Sequence, residues 1–228
     1  MREPLIAPRP KLGEECARHL RDLLMSGTYR AGGRLVVEEL AQQLGVSAMP
    51  VREALIALAN EGLVEVLPRR GFRVARIERR DVDDVFRVHS FVAGLLVEAA
   101  AAEISDDDVE RLRGTQRDIE RAAADGAAPD RAARIEQLNF RFHRAVNHVP
   151  DAGRLRWFLR AATRYVPRHF YESIPGWIDA TVQDHPPIIE ALADRDAARA
   201  RRLMEAHVRS AGRMVVAHLG GTDLWSEA

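Results

Sequence analysis

Three histidines interrupt stretches whose apolar residues otherwise recur at helical spacing. Between residues 130 and 148 the stripe is Ile135, Leu138, Phe142, Ala145 and Val146, and Asn139 and His143, four apart, lie along its edge. His185 continues the stripe of Ile188, Ile189 and Leu192. His207 sits in the middle of Ala200, Leu203, Met204, Ala211 and Val215, a stripe that His218 extends. An imidazole buried without a partner is costly. One histidine on an apolar face is readily satisfied by a core neighbour. Three on three separate helices share a simpler solution, in which neutral imidazoles surround a divalent cation and Asn139 adds an oxygen. Such a donor set suits zinc or nickel. Spacing alone leaves the alternative open that each ring is satisfied separately inside the core.

The elements that must hold these rings are helical. Beyond the charged connector at residues 76–80 there is no strand-like alternation of useful length, and the periodicity predicts helices over 81–102, 106–125, 130–148, 151–171, 177–194 and 196–219. Ser105 before an Asp-rich run is a good helix start. Pro150 and Gly153 mark a break, Pro167 should kink or shorten its segment, and Pro186 and Pro187 suit the first turn of a new helix.

A second constellation lies at residues 34–74. Leu40, Ala41 and Leu44 form the apolar face of a short helix, and Gly45 sits where a left-handed residue ends it. Ser47 is placed to cap a second helix, with Pro50 in its first turn and Val51, Ala54, Leu55 and Leu58 inside. Two short alternating runs follow, Leu63–Leu67 and Phe72–Arg76, joined by a basic turn, Pro68-Arg69-Arg70-Gly71. This pattern predicts a winged helix-turn-helix over 10–76. Ser47, Ala48, Met49 and Arg52 would face base edges, Arg69, Arg70 and Gly71 would meet phosphate or minor groove, and Arg34 and Glu38 would flank them. The fold class expected is therefore mostly α, a winged helix-turn-helix followed by an all-α bundle over 81–219. A helix-turn-helix reads one half-site, so a homodimer on palindromic double-stranded operator DNA is expected.

The charge distribution agrees. Residues 1–76 carry 12 Lys+Arg against 9 Asp+Glu, and the remainder carries 22 against 25. A mildly basic reader joined to an acidic partner keeps the second unit off nucleic acid. The single cysteine, Cys16, cannot form an internal disulfide and is expected as a small buried hydrophobe. No secretion signal is recognised, no apolar run is read as long enough for a membrane span, and the chain is expected in the cytoplasm without membrane contact.

At the level of families, GVSAMPVREAL, ALANEGLV and PRRGFRV resemble the winged helix of GntR-type bacterial transcription regulators, and LRDLLMSGTYRAGGRL resembles their first helix and loop. The resemblance covers about residues 12–76. Two positions depart from it. Ala48 stands where an arginine is usual, which makes the operator hard to guess, and Ala31 stands where a proline is usual. NFRFHRAV, DHPPIIEAL and MEAHV resemble the helical effector domain, FCD, of the FadR-like branch, over about residues 81–215. That resemblance implies Asn139, His143, His185 and His207 as ligands of a metal ion, with Asn139 in place of the commoner aspartate. It also implies Arg87 as the cavity arginine that pairs with an effector carboxylate, although Phe91 replaces the glutamate expected four residues later. Arg141, Arg164 and Tyr165 are further candidates for the pocket wall.

These observations imply a ligand-responsive regulator, a repressor by the habit of the family, holding a small carboxylate against a metal. Three alternatives stay open at this stage. One is a regulator that answers to metal alone. Another is a metal-dependent hydrolase, disfavoured because Asn139 occupies the place where a carboxylate base would help. The third is an architectural DNA binder whose bundle only dimerises.

Overall fold

A computed structural model describes residues 12–76, 78–126, 128, 130–163, 171 and 174–219. The chain divides after Glu78 into two compact units. The first contains α1 (Leu12–Met25), β1 (Arg34–Leu35), α2 (Val37–Leu44), α3 (Ala48–Asn60), β2 (Val64–Leu67) and β3 (Gly71–Val74).

Apolar spacing builds this unit. Leu20, Leu24 and Met25 of α1 meet Val51, Leu55 and Leu58 of α3 in a core where each is at most 3% exposed. Every such side chain contributes about 1.5–3 kcal/mol by leaving water. Gly45 ends α2 at φ +66°, as the turn requires. Arg21 of α1 grips the Glu61 carboxylate beyond α3 through its Nε (2.9 Å) and one terminal nitrogen (2.7 Å), fixing the end of that helix. The sheet has the order β1-β3-β2 and is antiparallel throughout, with Val64 opposite Val74 and Val66 opposite Phe72. The short strand β1, which the sequence reading does not contain, pairs Arg34 with Arg73. Phe72 and Val74 are buried, but Val66 is 56% exposed, so only the inner half of the hairpin packs on the helices. Cys16 is buried, and desolvation raises its thiol pKa.

The second unit contains α4 (Arg79–Glu103), α5 (Asp106–Ala124), α6 (Arg131–His148), α7 (Gly153–Thr163), α8 (Trp177–Ala193) and α9 (Ala197–Leu219). Its spine is the antiparallel pair α4 and α9. Ser90 accepts a hydrogen bond from Arg209 (3.4 Å), and Glu98 binds Arg201 (2.8 Å). A Cβ on Gly212 would lie 2.6 Å from Phe86, and one on Gly94 2.7 Å from Glu205, so these glycines set how closely the two helices approach. Ser105 and Asp108 cap α5 reciprocally.

Two sequence expectations are corrected here. Helix α4 is long and apolar enough, by length and composition, to cross a membrane, whereas the sequence reading found no such run. The reason is that it serves as the core helix of the bundle, with Val82, Phe86, Ala93, Leu96, Val97 and Ala100 buried. Pro186 and Pro187 do not begin a helix but lie inside α8, which continues through them from Trp177. Ile188, Ile189 and Leu192 are buried, and that packing holds the helix across the lost backbone donors.

Candidate functional site

The bundle brings His143 of α6, His185 of α8 and His207 of α9 together, with one nitrogen of each lying within 4.8 Å of the others. Helix phase places each ring. His143 follows buried Phe142, His185 lies one turn before Ile188 and Ile189, and His207 lies between Met204 and Ala211. The Nε2 atoms of His143 and His207 are 3.3 Å apart. His185 is fully buried and stacks on Phe142 with ring centroids 3.9 Å apart. Its Nδ1 faces Gln116 Oε1 at 3.1 Å, and His207 Nδ1 faces Asp184 Oδ2 at 3.1 Å.

Burial pushes the pKa values of His143 and His185 well below the ordinary histidine range, and the neighbouring imidazoles push further the same way. Both rings are therefore neutral at pH 7 and have a lone pair available. His185 Nε2 and Asn139 Oδ1 are buried without a hydrogen-bond partner. Asn139 precedes His143 by one helical turn, so its oxygen lies on the same side of α6. Orphaned acceptors of this kind are rare and cost about 1–3 kcal/mol each. A divalent cation fits them. Two nitrogens bound tetrahedrally at about 2.0–2.1 Å are about 3.3–3.4 Å apart, close to the separation of the His143 and His207 nitrogens.

The other expected pocket residues fall elsewhere. Arg87 is exposed and pairs with Asp84 at 3.3 Å, with 76% of its side chain accessible, so it does not reach the histidines. The inward row of α4 runs through Val82, Phe86, His89 and Ala93, and Arg87 is turned about 100° from Phe86. Arg141, one residue before Phe142, is exposed for the same reason. Arg164 and Tyr165 lie outside the described residues. What the sequence reading missed on α4 is His89. Desolvation first, and the nearby His207 in the same direction, lower its pKa to about 4, which places it beside the cluster. Its spacing from Phe86 and Ala93 was the available signal. Gln116 and Asp184 were also missed. Gln116 is only 4% exposed on a charged helix, a polar side chain on the apolar row Val109, Leu112 and Ile119.

In the first unit, Arg34, Glu38, Ser47, Met49, Arg52, Arg69, Arg70 and Gly71 are all exposed. Ser47 stands at the N-cap of α3 with extended backbone but makes no side-chain cap bond, which leaves its hydroxyl free of that role. Met49 is 66% exposed at the start of α3, and Arg52 follows one turn on. At the hairpin tip Arg69 adopts φ +60° and Gly71 φ +89°, and this tight turn presents both arginine side chains outward. An exposed helix start beside a basic tip can place donors on base edges and phosphates together.

The family model described as bacterial regulatory proteins, gntR family, matches residues 12–74, and that of the FCD domain matches residues 84–210. The HTH-type transcriptional regulator YdhC of Bacillus subtilis is 26% identical over 198 residues, covering 82% of this chain and 84% of its own. The HTH-type transcriptional regulator McbR of Escherichia coli is 26% identical over 181 residues, covering 78% and 80%. A solved structure of E. coli McbR/YncC superposes with a TM-score of 0.67 at 23% identity, covering 93% of this chain and all of that one.

Proposed function

Because the chain belongs to the GntR family of bacterial regulatory proteins and carries an FCD domain, we propose that it is a transcription regulator whose DNA affinity answers to a small carboxylate held at the histidine cluster. The observation that carries this reading is the convergence of three imidazoles, with His185 Nε2 and, one turn before His143, Asn139 Oδ1 buried without hydrogen-bond partners. His143, His185, His207 and Asn139 would hold a divalent metal, with zinc or nickel favoured by the nitrogen-rich set. When bound, such a cation supplies a Lewis-acidic site for one oxygen of an organic acid.

The chemistry of the donors points to an anionic effector. As ligands, three imidazoles and one amide bring no negative charge to a cation. Behind His207, Asp184 offers a negative charge, but it lies outside the donor set itself. A carboxylate supplies the missing charge in a low-dielectric interior. His89, on the inward row of α4, is placed to hydrogen-bond a second oxygen of the same ligand. Phe142 and the apolar rows around it exclude water.

The protein acts as a homodimer on palindromic operator DNA and as a repressor released by its effector. Val88 and Phe91 of α4 and Trp157 and Phe158 of α7, two helices that pack together, are each more than half exposed and offer an apolar face to a second copy. Its place of action is the cytoplasm, where the operator lies. A hydrolase is disfavoured because the carboxylate touching the cluster, Asp184, is committed to a histidine Nδ1 and is not free to act as a base.

The test is thermal unfolding of metal-loaded protein against a panel of small carboxylates, followed by operator binding with each hit. A ligand that raises Tm and weakens DNA binding is expected. DNA affinity that follows metal alone, with no carboxylate effect, overturns the effector half of the reading.

A further inference from the structure

The hydrogen bonds behind the histidines determine which nitrogen of each ring is free. Gln116 of α5 is the pivot. Its Nε2 lies 3.0 Å from Glu120 Oε1 and 3.1 Å from the Val182 carbonyl oxygen. Both partners only accept hydrogen bonds, so the NH2 group must face them and the amide cannot be turned round. Its Oε1 is thereby aimed at His185 Nδ1, 3.1 Å away. An amide oxygen only accepts, so His185 carries its proton on Nδ1, and the buried, unpartnered Nε2 is left as a bare lone pair.

The carbonyl that holds Gln116 is available because of a proline. In an unbroken helix the carbonyl of Val182 accepts from the backbone N–H four residues on, at position 186. That residue is Pro186, which has no N–H. The interior proline of α8 thus gives Gln116 an acceptor one residue before Gln183 and three before the ring it orients. His207 is set by another device. Asp184, next to His185 in sequence, accepts from His207 Nδ1 and leaves His207 Nε2 turned toward His143.

We infer that Gln116 and Asp184 are positioning residues that preset His185 and His207 as Nδ1–H tautomers, so that each presents Nε2 to whatever the cluster binds. The functional meaning rests on the metal reading given above, but the tautomers do not depend on it. In free imidazole side chains the Nε2–H form is the commoner one, so two Nδ1–H rings in one cluster require a cause. The two causes differ in character. Behind His207 stands a carboxylate, which sets a negative charge against the ring. Behind His185 stands a neutral amide, which orients the ring without adding charge to a site that already lies beside Asp184.

The experiment uses full-length protein labelled with 15N-histidine. Long-range 1H–15N spectra are recorded at pH 8 after metal is removed with a chelator, and His185→Asn and His207→Asn assign the signals. His185 and His207 are expected as Nδ1–H tautomers in the metal-free wild type. In Gln116→Leu, His185 should lose that preference, and zinc affinity, read by competition with a chromophoric chelator, should fall about 10- to 100-fold. An Nε2–H His185 in the wild type overturns the inference, as does a Gln116→Leu protein with unchanged tautomer and zinc affinity. If Gln116→Leu does not fold, the wild-type spectrum still decides. Wild-type protein that takes up no zinc yet shows both Nδ1–H rings sinks the metal reading and leaves the tautomer lock standing.

Discussion

The two units solve opposite electrostatic problems. The candidate DNA surface is drawn from one continuous stretch, Arg34 to Gly71, and its side chains all point into water. The histidine site is drawn from α5, α6, α8 and α9, joins residues as far apart as Gln116 and His207, and is enclosed. Exposed arginines keep their charge at little cost, and they act through contacts that salt screens. Enclosed imidazoles lose their charge to desolvation, and their lone pairs become useful because they are neutral. The lesson is that a surface suited to DNA leaves its charge in solvent, whereas an enclosed cluster of donors keeps charge out.

The contrast can be broken most directly at the cluster. His207→Ala should lower zinc affinity about a hundred- to a thousandfold, since one donor of four supplies roughly a quarter of the 10–16 kcal/mol typical of such a site. The measurement is metal content after dialysis, and operator binding by the metal-free variant should survive. Comparable loss of metal and DNA binding would mean the two units are not separable in function. On the other side, Leu55→Ala empties a fully buried position under α3 and should cost about 2–5 kcal/mol, read by denaturant unfolding, with zinc affinity untouched. Next in size, Arg52→Ala should weaken operator binding by about 1–3 kcal/mol with relaxed base preference, while Arg69→Ala should reduce the dependence of log K on log salt by about one. Unchanged binding in both, measured by fluorescence anisotropy at moderate salt, would remove the docking geometry.

The pH response sharpens the comparison further. His89 titrates at about 4 in the folded protein against an ordinary value of 6.5, and His143 and His185 are also displaced downward by burial. Below pH 6.5 the unfolded chain therefore binds protons that the folded bundle refuses. Stability of the metal-free bundle should be full above that pH and fall steadily toward pH 4, by up to about 1.4 kcal/mol per pH unit for each such group. A flat unfolding profile across that window in chelator-treated protein would show the rings to be hydrated. The smallest effect is expected at Arg87. Its partner is an exposed carboxylate three residues away, so Arg87→Ala should leave zinc and carboxylate binding unchanged by calorimetry, whereas His89→Ala should weaken the carboxylate.

How far each region could be read in advance follows from the same contrast. The winged helix was legible because its signals are local. Gly45 at φ +66°, Ser47 at the helix start and the Arg69–Gly71 tip are short-range features, and only the two-residue strand β1, too short for any periodicity, escaped. In the bundle, the stripes identified His143, His185 and His207, because a polar residue on an apolar row is visible in one dimension. On α4 the expectation of Arg87 comes from the family resemblance, and the length and alanine content of the helix blur the inward row that would point to His89. Gln116 and Asp184 lie on helices rich in acids and bases, where nothing local separates a buried amide from a solvated one.

From its sequence alone this protein determined a winged helix-turn-helix, a helical second unit and three histidines with an inward claim, because helical period, turn chemistry and capping are properties of neighbouring residues. Tertiary structure decided the rest. It chose His89 over Arg87, turned Gln116 onto His185 through the carbonyl that Pro186 leaves free, and set Asp184 behind His207. Those choices depend on how far one helix is rotated against another, and that rotation is fixed by packing between residues far apart in the chain.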